Sequence, residues 1–394
     1  MQLLSAPRRR PRSSARSGGR SLNMRIVYLG ASALPSAGRA NTIQTMAMCS
    51  AFSTNGHEVV LIAPDRPDRI KDTDPHTYYG VPPAFRIEHL PWYHWKGRGY
   101  LYGWAAARRA RELRPDLVYG RSLIGCRVAA GMRMPTIFEI HQPVPRADIL
   151  LRFALSGLTR QPNLKRLVTI SEPMVDYFRS EFGMPASRIS LAPNGAQDIG
   201  HTGASVALGP GALHAGYVGG LQPGKGMQLI VKVAAATPWA TYHVVGGTPS
   251  EISEWEAACA GLENVRFHGH VSPAETERFR RSFDVLLAPY HAPAGSLSPD
   301  RARTAWLSPL KLPEYMAAGK PIVCSDLAAY RAVLSHEQTA LFCAPDDVGA
   351  WVDALTRLRD DAPLRSRLGQ AAHREFIEHY TWEARARRVL EGLT

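Results

Sequence analysis

The sequence predicts an α/β protein made of two doubly wound parallel sheets facing each other across a cleft, and three observations carry that prediction. Short β-rich runs alternate with helical stretches from Met24 onward, the pattern of parallel strands joined by crossover helices on both faces. The alternation breaks at AQDIGHTGASVALGPGA, residues 196–212, which is rich in Gly and Ala, lacks periodicity and reads as a linker. A second alternating series follows, and 394 residues suit two domains that each bury their own core.

In the first series, strands are expected at 25–29, 58–63, 85–90, 117–120, 135–140, 167–170 and 189–192, with helices among them at 40–55 and 103–113. In the second, strands are expected at 214–218, 241–246, 265–268, 284–288, 321–325 and 341–343, with helices at 226–236, 274–282, 309–318 and 348–358. The architecture repeats but the sequence does not, and no short period points to a solenoid or propeller. The domains are therefore expected at 24–195 and 213–375. Ligands of such sheets bind at the carboxyl ends of the strands, so the expected site lies between the halves.

The segment 1–23 carries six Arg and no acid. No apolar core follows its Arg run, which argues against a secretory signal. Three readings stay open: a start at Met24, where RIVYLG opens the first strand, a disordered basic arm, or a transit peptide. Residues 24–195 hold 22 Lys and Arg against 13 Asp and Glu, a net of +9, whereas residues 196–394 hold 19 against 21, a net of −2. The basic half would suit an anionic partner such as lipid head groups or a phosphorylated acceptor, although a merely solvated basic face explains the charge as well. The stretch WYHWKGRGYLYGW, 92–104, mixes aromatic and basic residues as an acceptor or lipid interface would, or as a packed amphipathic loop would. No stretch reaches the roughly 18 apolar residues of a spanning helix. Any membrane contact is expected to be peripheral, on the inner face. Five scattered cysteines with no C-x-x-C spacing point to a reduced, cytoplasmic setting and to no metal site.

Four segments can carry chemistry. The first loop, GASALPSAGRANT from Gly30, puts small residues before a helix N-terminus but lacks the G-x-G-x-x-G of dinucleotide enzymes. The run HAGYVGG–LQPGKG brings Gly219, Gly220 and Lys225 to a glycine-rich turn before a helix, where a cation, free amides and a helix dipole suit a diphosphate. In WLSPLKLPEYMAAGKPIVCSD, Ser308 is a natural N-cap, Pro309 opens the helix and Gly319 closes it. Pro313 predicts a tight or kinked first turn. Lys311 and Glu314 share the face at that helix start, where Glu314 could accept two hydrogen bonds from a vicinal diol and Lys311 could hold phosphate. In TIFEIHQPV, Glu139 and His141 share one face of a strand, and His141 stands at its ligand-facing end.

These segments, with TISEPM, APNG, NVRFHGHV and DVLLAPY between them, resemble in order and spacing the family 4 retaining glycosyltransferases across nearly the whole chain from Met24. The resemblance implies a GT-B fold of two Rossmann-like domains, in which 376–394 forms a final helix crossing back onto the first domain. It implies transfer of a sugar from a nucleotide-diphosphate donor, UDP- or GDP-linked, to a glycan or lipid-linked acceptor in cell-surface polysaccharide or glycolipid synthesis. No metal, other cofactor or nucleic acid is implied. Carried over by position, Glu314 would hold the ribose hydroxyls, Lys225 would neutralise the departing diphosphate, and the Leu310 and Lys311 amides would cap its phosphates. Backbone at His270 and Val271 would face the base, His141 would touch the donor sugar, and Gly38 and its neighbours would close on the donor. Two departures stand out: Trp306 occupies the place of the family's first Glu, and Gly220 that of an Arg beside the phosphate-binding Lys, leaving one cation of the pair unless Lys311 substitutes. A nucleotide-sugar epimerase on the same fold and an inactive basic membrane-surface or nucleic-acid binder are the alternative readings.

Overall fold

The computed structural model describes residues 23–36, 40–95, 97–198, 203–290 and 311–393. Its first sheet has seven strands: β1 (Arg25–Leu29), β2 (Glu58–Asp65), β3 (Arg86–Pro91), β4 (Leu117–Gly120), β5 (Thr136–Glu139), β6 (Leu164–Thr169) and β7 (Ile189–Leu191). The order is β3-β2-β1-β4-β5-β6-β7, and every pairing is parallel. Ile26, Val27, Tyr28 and Leu29 are all fully buried, as expected of a strand covered on both faces.

The second sheet has six strands: β8 (Leu213–Val218), β9 (Ala240–Val245), β10 (Val265–Phe267), β11 (Val285–Ala288), β12 (Ile322–Ser325) and β13 (Leu341–Cys343). Its order, β10-β9-β8-β11-β12-β13, is again wholly parallel. Strand order reverses between β1 and β4 in one sheet and between β8 and β11 in the other. Such switch points open a crevice at the carboxyl edge.

Sequence periodicity placed all thirteen strands within a few residues. The aromatic stretch before residue 103 differs from its expected form, because the helix there begins at Arg98 and takes in Tyr100, Leu101 and Trp104. A long helix, Ala362–His379, runs through residue 376, and the element lying on the first domain is the next helix, Trp382–Leu390. It packs against the helix Ala40–Thr54, and Trp382, Ala386, Val389 and Leu390 enter the first domain's core. Two crossing segments meet at a short parallel bridge: the Ala196 amide donates to the Tyr380 carbonyl at 2.9 Å and the Trp382 amide to the Ala196 carbonyl at 3.3 Å. The tail 1–22, residues 199–202 and the segment 291–310, with Trp306, Ser308 and Pro309, lie outside the described residues.

Candidate functional site

The second sheet's switch point brings together residues far apart in sequence. After β8, Gly219 takes a φ of 153° and its amide donates to the Val245 carbonyl at 2.9 Å. The Gly220 carbonyl accepts from the Tyr217 hydroxyl at 2.6 Å. Lys225 follows, and Gly226, with φ of 94°, starts the helix Met227–Ala236. A Cβ at Gly226 would lie 1.9 Å from the Pro289 carbonyl oxygen, so only glycine lets this turn sit against the end of β11. That close approach sets Lys225 beside Tyr290: its Nζ donates to the Tyr290 hydroxyl at 3.4 Å and stands 4.6 Å from the ring centroid. Burial pushes its ammonium pKa below the ordinary lysine range.

The helix Lys311–Ala317 is pinned over the same point by Tyr315, whose hydroxyl accepts from the Val218 amide at 2.9 Å and donates to the Leu287 carbonyl at 3.2 Å. Pro313 falls in its first turn, and Gly319, with φ of 64°, ends it. From this helix Lys311 turns inward to Tyr217 and Tyr290. Glu314 turns the other way, toward the helix Pro273–Ser282, where it accepts from Arg280 Nη1 at 3.3 Å while remaining 28% exposed. Sequence reading paired Lys311 with Glu314 on one face; the fold separates their partners. Tyr290 and Arg280 were not anticipated. Tyr290 closes DVLLAPY, and its place after β11 at a switch point was the signal available.

His270 is exposed and Val271 half-buried in the loop after β10, and the Gly269 carbonyl accepts from the Gly246 amide at 2.7 Å. The loops after β8, β9 and β10 therefore form one continuous edge. A cleft of about 610 Å³ runs between the domains, walled by Glu314, Arg280 and Glu277 on one side and by Ile43, Tyr79 and Trp382 on the other. Gly38 and Leu310, expected at the donor site, lie outside the described residues.

On the first domain, His141 follows β5 and is tied to Glu139, with His141 Nε2 and Glu139 Oε1 2.5 Å apart. Glu139 is fully buried. It accepts from Arg385 Nη2 at 2.7 Å, from Gln44 Nε2 at 2.9 Å and from the Tyr119 hydroxyl. Burial alone would raise its carboxyl, but Arg385, the His141 hydrogen bond and Arg121 outweigh it and hold the group well below the usual carboxylate range. Burial, then Arg121, lowers His141 to about 4 against the pull of Glu139. The imidazole is therefore neutral at pH 7, its Nε2–H donated to the carboxylate, and its Nδ1 remains an acceptor. Arg385, from the C-terminal helix, was invisible in the sequence as a partner of this group. All five cysteines are free and buried, and among the described residues no cluster of three His, Cys, Asp or Glu is placed to hold a metal.

Comparison with known proteins agrees with this architecture. Residues 42–197 match the family model described as Glycosyltransferase Family 4, and residues 212–361 match that of Glycosyl transferases group 1. A glycogen synthase of Mycobacterium tuberculosis is 26% identical over 293 residues, spanning 69% of this chain and 67% of that protein. A phosphatidyl-myo-inositol mannosyltransferase of Mycolicibacterium smegmatis is 30% identical over 174 residues, 43% of this chain and 41% of the relative. Among solved structures, Anabaena HepE in complex with UDP-glucose superposes with a TM-score of 0.66 at 15% identity, covering 94% of this chain and 99% of that one. WaaG, a glycosyltransferase involved in lipopolysaccharide biosynthesis, superposes with a TM-score of 0.59, also at 15% identity, covering 93% of this chain and all of that one. With two doubly wound parallel sheets, a helix crossing back between them and a family model matched on each half, the chain belongs to the group 1, family 4 glycosyltransferases and has the GT-B fold.

Proposed function

We propose that the protein moves a sugar from a UDP- or GDP-linked donor to a glycan or lipid-linked acceptor, with retention at the anomeric carbon, in cell-surface polysaccharide or glycolipid synthesis. One observation carries the donor half of this reading: Lys225 and Lys311 meet on the Tyr290 ring beside Gly219 and Gly220, at the switch point of the second sheet. A glycine turn, the N-terminus of the helix Met227–Ala236 and two amines suit a diphosphate. Glu314 would accept from the ribose hydroxyls through the oxygen that Arg280 leaves free, and the His270–Val271 backbone would face the base. His141, neutral and oriented by Glu139, would accept a hydrogen bond from a hydroxyl of the donor sugar. In the transfer, the acceptor oxygen bonds to the anomeric carbon on the face that the diphosphate leaves. The bond from that carbon to the phosphate oxygen breaks, and the acceptor's proton passes to the leaving phosphate. Fixed cations and dipoles stabilise the charge on the leaving group, and no metal or other cofactor is assigned a role.

The acceptor half rests on a surface. The helices Arg98–Glu112 and Ile149–Thr159 both pack on Leu123–Gly131. They leave Ile149, Leu150 and Phe153 at 75%, 69% and 68% exposure on one helix and Leu101 and Trp104 exposed on the other. Arg108 lies over the Trp104 ring and Arg127 over that of Phe153. Aromatic and aliphatic tips among arginines suit an anionic lipid surface, the place at which a lipid-linked acceptor would be met on the cytoplasmic face.

The test is a thermal-shift panel with UDP, GDP, ADP, dTDP and CMP on the protein and on Glu314→Gln. The expected result is stabilisation by one nucleoside diphosphate that the variant reduces. No shift with any of them would overturn the nucleotide-sugar reading.

A further inference from the structure

Lys311 is only 6% exposed, and among the described residues its Nζ has no hydrogen-bond partner. Three tyrosine rings box it in, with centroids at 3.7 Å for Tyr217, 4.7 Å for Tyr290 and 5.8 Å for Tyr315. On its remaining side lies the bare face of Gly219, where a Cβ would come within 3.2 Å of the amine. The ring faces attract an ammonium but accept none of its hydrogen bonds as water would, so a charged amine buried here stays short of acceptors until a ligand supplies them. Among the described residues, the charges facing it come from two places. Lys225, across the Tyr290 ring, opposes a positive Lys311, and Glu314, one turn along its own helix, favours it less than burial and Lys225 disfavour it. The tyrosines offer only ring faces, and Gly220 has no side chain to offer at all.

We propose that Lys311 waits as an uncharged amine in the tyrosine box and takes up a proton when a diphosphate reaches Gly219 and Gly220, becoming the second cation of that site. The inference rests on the nucleotide-sugar reading above. The proton comes from solvent and the ammonium formed pairs with a phosphate oxygen, so two like charges never stand together on Tyr290 without an anion between them. The buried net charge of the site is then set by the ligand itself. Burial, and after it Lys225, holds Lys311 well below the ordinary lysine range in the free protein, the direction this scheme needs.

Calorimetric titration of the full chain with UDP and with GDP at pH 8, in buffers of different ionisation enthalpy, tests it. At that pH histidines are neutral and contribute little. The expected result is uptake of about one proton per nucleotide bound, because a group that charges on binding links affinity to pH. Lys311→Met should abolish the uptake and weaken binding about 10- to 100-fold, the range of a charge-assisted hydrogen bond, while raising the melting temperature of the free protein. Lys225→Met should weaken binding but keep the uptake. If Lys311→Met does not fold, Lys311→Gln replaces it with the same expectation. Tight binding without uptake, or wild-type binding by the Lys311 variant, overturns the proposal and leaves the nucleotide reading standing. Absence of nucleotide binding to the wild-type protein overturns both.

Discussion

Arg385 and Glu139, 246 positions apart, form an ion pair that is almost wholly out of water, with Nη2 and Oε1 2.7 Å apart. The arginine comes from the C-terminal helix and the carboxylate from the end of β5. Arg385 also donates to the Ala192 carbonyl at 3.0 Å and the Pro193 carbonyl at 2.9 Å. The pair therefore fastens the returning helix to the first domain and, through Glu139, orients His141.

Removing one partner should be far more damaging than removing both. Arg385→Met leaves a buried carboxylate unpaired and should lower stability by about 3–5 kcal/mol, the typical loss on breaking a buried pair. Adding Glu139→Gln to it should restore a substantial part. Urea unfolding of the single and double variants checks this; equal loss in both would show that the pair acts only through packing.

Three histidines, one on β8, one on β9 and one just after β10, are hydrogen-bonded in series: His214 Nδ1 to His243 Nε2 at 3.0 Å, and His243 Nδ1 to His268 Nε2 at 3.0 Å. Burial, then His268 and His214, lowers His243 to about 3. The unfolded chain binds that proton near pH 6.5 and the folded chain does not. The stability so contributed is complete above about pH 6.5 and drains away as the pH falls toward 3, by at most about 1.4 kcal/mol per unit. His243→Gln should flatten the fall in urea midpoint between pH 6.5 and 5 relative to the wild-type protein. Parallel curves for the two would locate the acid sensitivity elsewhere.

The exposed apolar and basic face makes a prediction about lipid. The protein should sediment with phosphatidylglycerol vesicles but not with phosphatidylcholine vesicles, and high salt should release it. Arg127, which lies over the Phe153 ring, should contribute about 1 kcal/mol, so Arg127→Ala lowers partitioning about fivefold. Phe153→Ser should lower it further. Equal recovery in the supernatant with both lipids would remove the membrane surface from the acceptor reading.

Much of the fold was legible because its signals are local. A buried parallel strand is a continuous apolar run, as in Arg25–Leu29 and Ile322–Ser325, and a run of that kind needs no distant partner to be recognised. Helix starts were less legible. The aromatic residues before 103 mask the helix that begins at Arg98, because their amphipathic pattern suits a loop on a surface equally well. Glycine was read for its turns, but that Gly226 must admit the Pro289 carbonyl follows only from how two loops pack.

By itself the sequence determined two doubly wound parallel domains, the family and the segments that hold His141, Lys225, Lys311 and Glu314, since each depends on residues close together in the chain. Only the tertiary structure decided what each of these touches. It set Arg385 on Glu139, Arg280 on Glu314 and both lysines on Tyr290. It also left Ile149, Leu150 and Phe153 exposed on one helix and Trp104 exposed on another. The physical reason is that charge and burial are properties of position: a lysine's protonation or a carboxylate's partner is set by groups that the chain brings near only when distant strands pair and a terminal helix returns.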